Sequence, residues 1–80
     1  MPNESKELTY GEKAVGITFN PSGSGDVQLI KELCAKVIDI VNTSQPNNEM
    51  SRERASVIEE SVRQMQTAQM WAVKAVTYQY

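Results

Sequence analysis

From Val27 onward, apolar residues recur every three or four positions: Val27, Ile30, Cys34, Val37 and Val41, with Leu33 and Ile40 widening the stripe. This is the spacing of one face of an α-helix, and it predicts a first helix over 27–43. Pro46 and the asparagines of "NTSQPNN" break the pattern and mark a connecting loop. A second helix is expected over 49–78, with Ala55, Ile58, Val62, Met65, Ala72 and Val76 as its first stripe, interrupted by Gln69. In "AQMWAVKAV" only Gln69 and Lys74 are polar, so Met70, Trp71, Val73 and Ala75 make the C-terminal half apolar on every side. A helix of that kind must be buried on every side, and one partner in a hairpin covers only one. The pattern therefore predicts a homo-oligomer with the C-terminal half of the second helix at its centre. An N-terminal arm folded over the extra face is the alternative.

Ahead of the first helix the period changes. Val15, Ile17 and Phe19 alternate with Ala14, Gly16 and Thr18, which predicts an extended arm or a short strand. A lone strand would have to lie on a helix or pair with another copy. Asn20-Pro21-Ser22-Gly23-Ser24-Gly25-Asp26 is a compact turn, with Ser24 or Asp26 placed to cap the following helix. Residues 1–13 are expected to be flexible, with 1–10 loosely ordered or a short helix. The expected fold is all-α: a single domain over 1–80, an antiparallel two-helix hairpin with a short extended or helical N-terminal arm (arm and turn over 14–26), assembled as a compact homo-oligomer.

Composition narrows the chemistry. Eighty residues bury a limited core, and chains of this size commonly need disulfides, a metal or oligomerisation. Cys34 is the only cysteine and histidine is absent, so no internal disulfide forms, a zinc site is not expected, and oligomerisation remains. The absence of histidine also removes His-based acid–base and triad catalysis. With 8 basic and 10 acidic residues scattered along the chain, neither a basic tract for DNA nor an acidic tail is present. The polar start "MPNESKELTY" and the lack of a long apolar run predict a soluble cytoplasmic protein with no membrane span and no cofactor.

The remaining candidates concern binding. Glu59 and Glu60 are neighbours on a helix and point in different directions, as a solvated face does. Cys34, on the apolar stripe, reads as a small buried hydrophobe. "NPSGSGD" lacks the lysine of a phosphate-binding Walker loop, yet its glycines and the helix N-terminus behind them suit an anion, opposed by the charge of Asp26. It is either a connector or a pocket wall. Lys31, about five residues into the first helix, gains nothing from the dipole there; it either reaches back to an anion or pairs with Asp26 on the exposed face. Arg52 and Arg54 sit similarly at the start of the second helix, with Glu49 and Glu53 nearby. Phe19, the only phenylalanine, immediately precedes the turn, where a ring can stack on a base or cap a core.

"AVGITFNPSGSGDVQLIKELCAKVIDIV" followed by "QTAQMWAVKAVTY" resembles a family of small bacteriophage proteins with a helical-hairpin fold. The resemblance spans residues 14–78, and its most specific parts are the aromatic-Asn-Pro turn and the "MWAVKA" segment. Characterised members are anti-CBASS sponges. CBASS is a bacterial defence in which cyclic di- or trinucleotides activate a cell-killing effector, and a sponge binds these messengers without cutting them. The resemblance implies a non-enzymatic homohexamer acting in the cytoplasm of an infected host, with pockets between protomers for cyclic dinucleotides such as 3′,3′-cyclic GMP–AMP and for cyclic trinucleotides. It implies Phe19 as the base-stacking ring, with Tyr10 as the alternative, and Asn20 beside it. Lys31, or else Lys36, would meet phosphate, and Arg52 or Arg54 would serve a second pocket. The competing class is a phage-encoded module that inhibits a host protein through its apolar C-terminal helix.

Overall fold

The computed structural model describes residues 7–44 and 51–79. It contains three helices, α1 (Tyr10–Val15), α2 (Gly25–Asn42) and α3 (Arg52–Thr77), and no strand among the described residues. The expected loop around Pro46, the start of the second helix at residue 49 and the first six residues lie outside the described residues.

Each helix begins where a hydroxyl can satisfy a free backbone N–H. Ser24 accepts from Val27 N at 3.3 Å and Ser51 accepts from Arg54 N at 3.0 Å, so α2 starts at Gly25, two positions before the apolar pattern does. Thr9 caps α1 through a reciprocal pair: its Oγ1 accepts from Glu12 N at 3.0 Å, and Thr9 N donates to Glu12 Oε1 at 2.9 Å. Of the two forms expected for the N-terminal arm, extended or helical, α1 takes the helical one over Tyr10–Val15, reaching only the first two residues of the 14–26 segment. The strand read from the alternation does not form among the described residues. Val15 is the last residue of α1 and Gly16 its left-handed C-cap, at φ 64°, so the alternation straddles a helix end and a turn.

α2 and α3 run antiparallel: Arg54 Nη2 donates to Ser44 O at 2.9 Å at one end of the hairpin, and Val73 and Thr77 lie beside Val27 and Lys31 at the other. α1 runs back along α2. Gly11 lies so close to Ala35 that an added Cβ would overlap its carbonyl, and Gly11 N donates to Asp39 Oδ1 at 2.7 Å. Only glycine permits that approach. The core sits where the helices meet, at Val15, Ala35, Ile38 and Val62, and Gln66 Nε2 ties α3 to α1 by donating to Ala14 O at 2.9 Å.

The stripe on α2 differs from the expected one. Its buried line is Val27, Lys31, Ala35 and Ile38, while Leu33, Val37 and Ile40 face outward, Ile40 with 66% exposure. The apolar residues span about half of the helix, and packing within the chain uses one edge of that arc. On α3, Val62 is buried, but Met70, Trp71 and Val76 are exposed, Trp71 to 65%. The chain is a plate rather than a ball, 12 Å through its thinnest dimension. Its radius of gyration is 14.8 Å, against about 12 Å for a compact chain of this length.

Replacing Gly11 by Ala is expected to lower stability by about 1–3 kcal/mol, because the methyl must displace the Ala35 backbone. Urea denaturation at fixed protein concentration measures it; an unchanged midpoint would show that the contact between α1 and α2 is dispensable.

Candidate functional site

The chain between α1 and α2 is wired almost entirely to itself. Ile17 N donates to Glu12 O at 3.0 Å and Phe19 N to Gly16 O at 2.9 Å, closing the end of α1 into a turn. A second turn follows, in which Gly23 N donates to Asn20 O at 3.1 Å with Gly23 at φ 67°. Asn20 is its organiser: Nδ2 donates to Ser24 O at 3.0 Å and Oδ1 accepts from Ser22 Oγ at 2.9 Å. Ser22 Oγ in turn accepts from Ser24 N at 3.1 Å. The N–H groups of Gly23 and Ser24 are therefore spent inside the turn, which acts as a rigid wall.

Lys31 lies under that wall. It is only 6% exposed, and Nζ donates to Gly16 O at 3.1 Å and to Phe19 O. The same ammonium lies 5.4 Å from the centroid of the Phe19 ring. An ammonium removed from water has to be compensated, and here backbone dipoles and a π-face do so. The pairing with Asp26 on an exposed face does not occur; Lys31 falls on the inward line of α2, one turn after Val27. With three N–H groups and two carbonyl partners, it keeps one donor.

Phe19 is the result of this wiring. Its N–H and C=O are both fixed, yet the residue is 69% exposed. The ring borders two depressions. One, of about 240 Å³, is lined by Asn20, Pro21, Ser22, Val27, Val73 and Thr77 together with Phe19 and Lys31. The other, of about 530 Å³, reaches toward Lys13, Gly16, Gln69 and Met70. The C-terminal end of α3 thus supplies site residues that motif reasoning missed. Val73 and Gln69 were legible as helix positions, but nothing local in the sequence places them against Phe19.

The structure brings Phe19, Asn20 and Lys31 together and sets the other candidates apart. Tyr10 opens α1, about 9 Å of helical rise from Gly16, and is exposed. Lys36 lines a separate groove with Glu12, Glu32 and Asp39. Arg52 and Arg54 lie at the far end of the hairpin, roughly 20 Å along α2 from Lys31. Arg52 is exposed there, while Arg54 holds Ser44 O and its Nε is buried without a partner. Cys34 packs against the core, and burial pushes its thiol pKa up, away from a reactive thiolate. Glu60 is on the surface, its carboxyl held below the usual range by Gln64 and Arg63, which donate to it at 2.7 and 2.6 Å.

Lys31→Met keeps the side-chain length but leaves the Gly16 and Phe19 carbonyls without their donor. It is expected to cost about 1–3 kcal/mol and to speed amide exchange at Phe19 and Gly23 by tenfold or more. Unchanged exchange at those amides would mean that the turn stands without the lysine.

The model of the Acb2/Tad1 hairpin-domain family matches residues 12–77, which takes in the whole of this site and nearly all of the three helices. No match was found among curated proteins or among solved structures. By that match the chain belongs to the Acb2/Tad1 hairpin-domain family, of which Acb2 is a phage anti-CBASS cyclic-nucleotide sponge.

Proposed function

We propose that this protein sequesters cyclic oligonucleotide messengers without cleaving them and so keeps a CBASS effector silent in the cytoplasm of the infected cell. The observation that carries this reading, beside the family match, is Phe19: a residue exposed to 69%, yet fixed through both of its backbone groups above a buried cation. A large apolar ring gains nothing from water, and rigid presentation lowers the entropy lost when a base stacks on it. The Lys31 ammonium contributes positive potential beneath the base and has a donor free for phosphate.

One chain presents one such ring. A cyclic dinucleotide carries two bases and two phosphates in approximate two-fold symmetry, and two copies of this chain about a two-fold axis match it with two rings and two lysines. The apolar residues left bare on Leu33, Ile40, Met70 and Trp71 favour such an assembly, which in this reading is a hexamer. Asn20 shapes the wall of the first pocket. Arg52 and Arg54, at the other end of the hairpin, would serve a separate pocket for cyclic trinucleotides, and Tyr10 has no part in the Phe19 site.

The direct test mixes the pure protein with 3′,3′-cyclic GMP–AMP, filters it, and quantifies free ligand before and after denaturing the protein. Ligand that disappears and returns intact is the expected result. Linearised ligand would make the protein an enzyme, and no depletion, repeated with a cyclic trinucleotide, would favour a module that inhibits a host protein.

Phe19→Ala is expected to weaken binding roughly 5- to 150-fold, the equivalent of about 1–3 kcal/mol for a stacked base, with an unchanged sedimentation profile. Equal affinity would remove Phe19 from the site. Trp71→Asp should instead dissociate the assembly; an unaltered sedimentation profile would count against an interface at α3.

A further inference from the structure

Gln69 stands on the inward face of α3, seven residues after the core residue Val62, at a position where the helical pattern calls for an apolar side chain. It is only 7% exposed, and its amide has no hydrogen-bond partner among the described residues. Gln66, one turn earlier, shows the usual resolution, with its amide donating to Ala14 O at 2.9 Å. The amide is not sealed from solvent, since among the described residues Arg54 Nε is the one side-chain polar atom both buried and unpartnered, so the Gln69 amide opens onto space that a ligand can enter. Gln69 lines the groove of about 530 Å³ that Phe19, Lys31, Gly16 and Met70 also border. Pockets for small ligands commonly measure roughly 300–1,000 Å³ and combine apolar walls with a few placed polar groups.

A primary amide offers one acceptor and adjacent donors in one plane. Adenine presents the complementary pair on its N6 and N7 edge, and glutamine reads that edge with two hydrogen bonds. Guanine presents two acceptors on the same edge and calls for a partner with two donors. Of the two lysines that border the groove, Lys31 has given two of its three N–H groups to backbone carbonyls, and Lys13 is an exposed side chain at the α1 edge of the groove. Phe19 and Gln69 border this same groove, so a base stacking on Phe19 from the groove side would enter space that Gln69 also lines.

We propose that Gln69 reads adenine in the bound cyclic nucleotide, an inference that rests on the sponge reading above. The amide of Gln69 in the groove supplies base preference, while Phe19 supplies affinity indifferent to the base.

Isothermal calorimetry on the full chain tests this with three probes: 3′,3′-cyclic di-AMP, 3′,3′-cyclic di-GMP, and cyclic di-AMP built from 7-deazaadenine, which lacks the N7 acceptor. Gln69→Met, close in size and apolar, is expected to weaken cyclic di-AMP about tenfold or more while changing cyclic di-GMP by no more than about threefold. The 7-deaza ligand should show a comparable loss against the unsubstituted protein, a comparison that decides the matter even if Gln69→Met fails to fold. Equal binding of cyclic di-AMP and its 7-deaza form, or a Gln69→Met loss shared by both natural ligands, would overturn the inference and leave the sponge reading intact. Failure of the unsubstituted protein to bind any of the three would overturn both.

Discussion

The ammonium of Lys31, buried beneath the chain reversal and bonded to the carbonyls of Gly16 and Phe19, is the constraint on which the arrangement around the site depends. It belongs to α2, but its partners belong to the segment that ends α1. One side chain therefore fixes the register of α1 against α2, the direction in which the chain leaves Gly16, and the height at which Phe19 emerges. The close approach of Gly11 to Ala35 and the hydrogen bond from Gly11 to Asp39 anchor the other end of the same short helix. Between these two anchors α1 has little freedom, although six residues alone would not hold a helix in water.

The turn and the lysine divide the work. Asn20, Ser22 and Ser24 use their polar groups on one another, so the wall is rigid but offers few groups to a ligand. What it offers is shape and one ring. Polar recognition must come from elsewhere, and the groups that line the depressions beside Phe19 come from Lys13 of α1, from α2 and from the C-terminal half of α3. This is economical for a chain of eighty residues: residues at the open end of the hairpin, opposite its connection, line the site.

The sequence made the two long helices legible because their apolar spacing is strongly periodic, and the turn legible because Pro21 and Gly23 interrupt it. α1 was legible only as one of two alternatives, a helical or an extended arm, because Val15, Ile17 and Phe19 alternate across a helix end, although Thr9 and Glu12 carried the capping signal. The face of α2 was misjudged for a different reason. Periodicity locates an apolar arc, but it does not say which edge meets a neighbour in the same chain, and Lys31 proved to lie on the inner edge. Phe19 and Asn20 could be singled out from a local motif. Gln69 could be seen only as an interruption, because its meaning depends on a groove assembled from residues more than fifty positions apart.

The thinness of the chain changes what substitutions mean. In a ball, a residue exposed in the isolated chain is one where most replacements are tolerated. In a plate 12 Å through, Leu33, Ile40 and Trp71 are surface positions of the single chain. Under the proposed assembly they become interior, so the sequence freedom of this protein is expected to follow the burial of the assembly. Drift would then concentrate at positions such as Glu59 and Arg63, which belong to the exposed polar remainder.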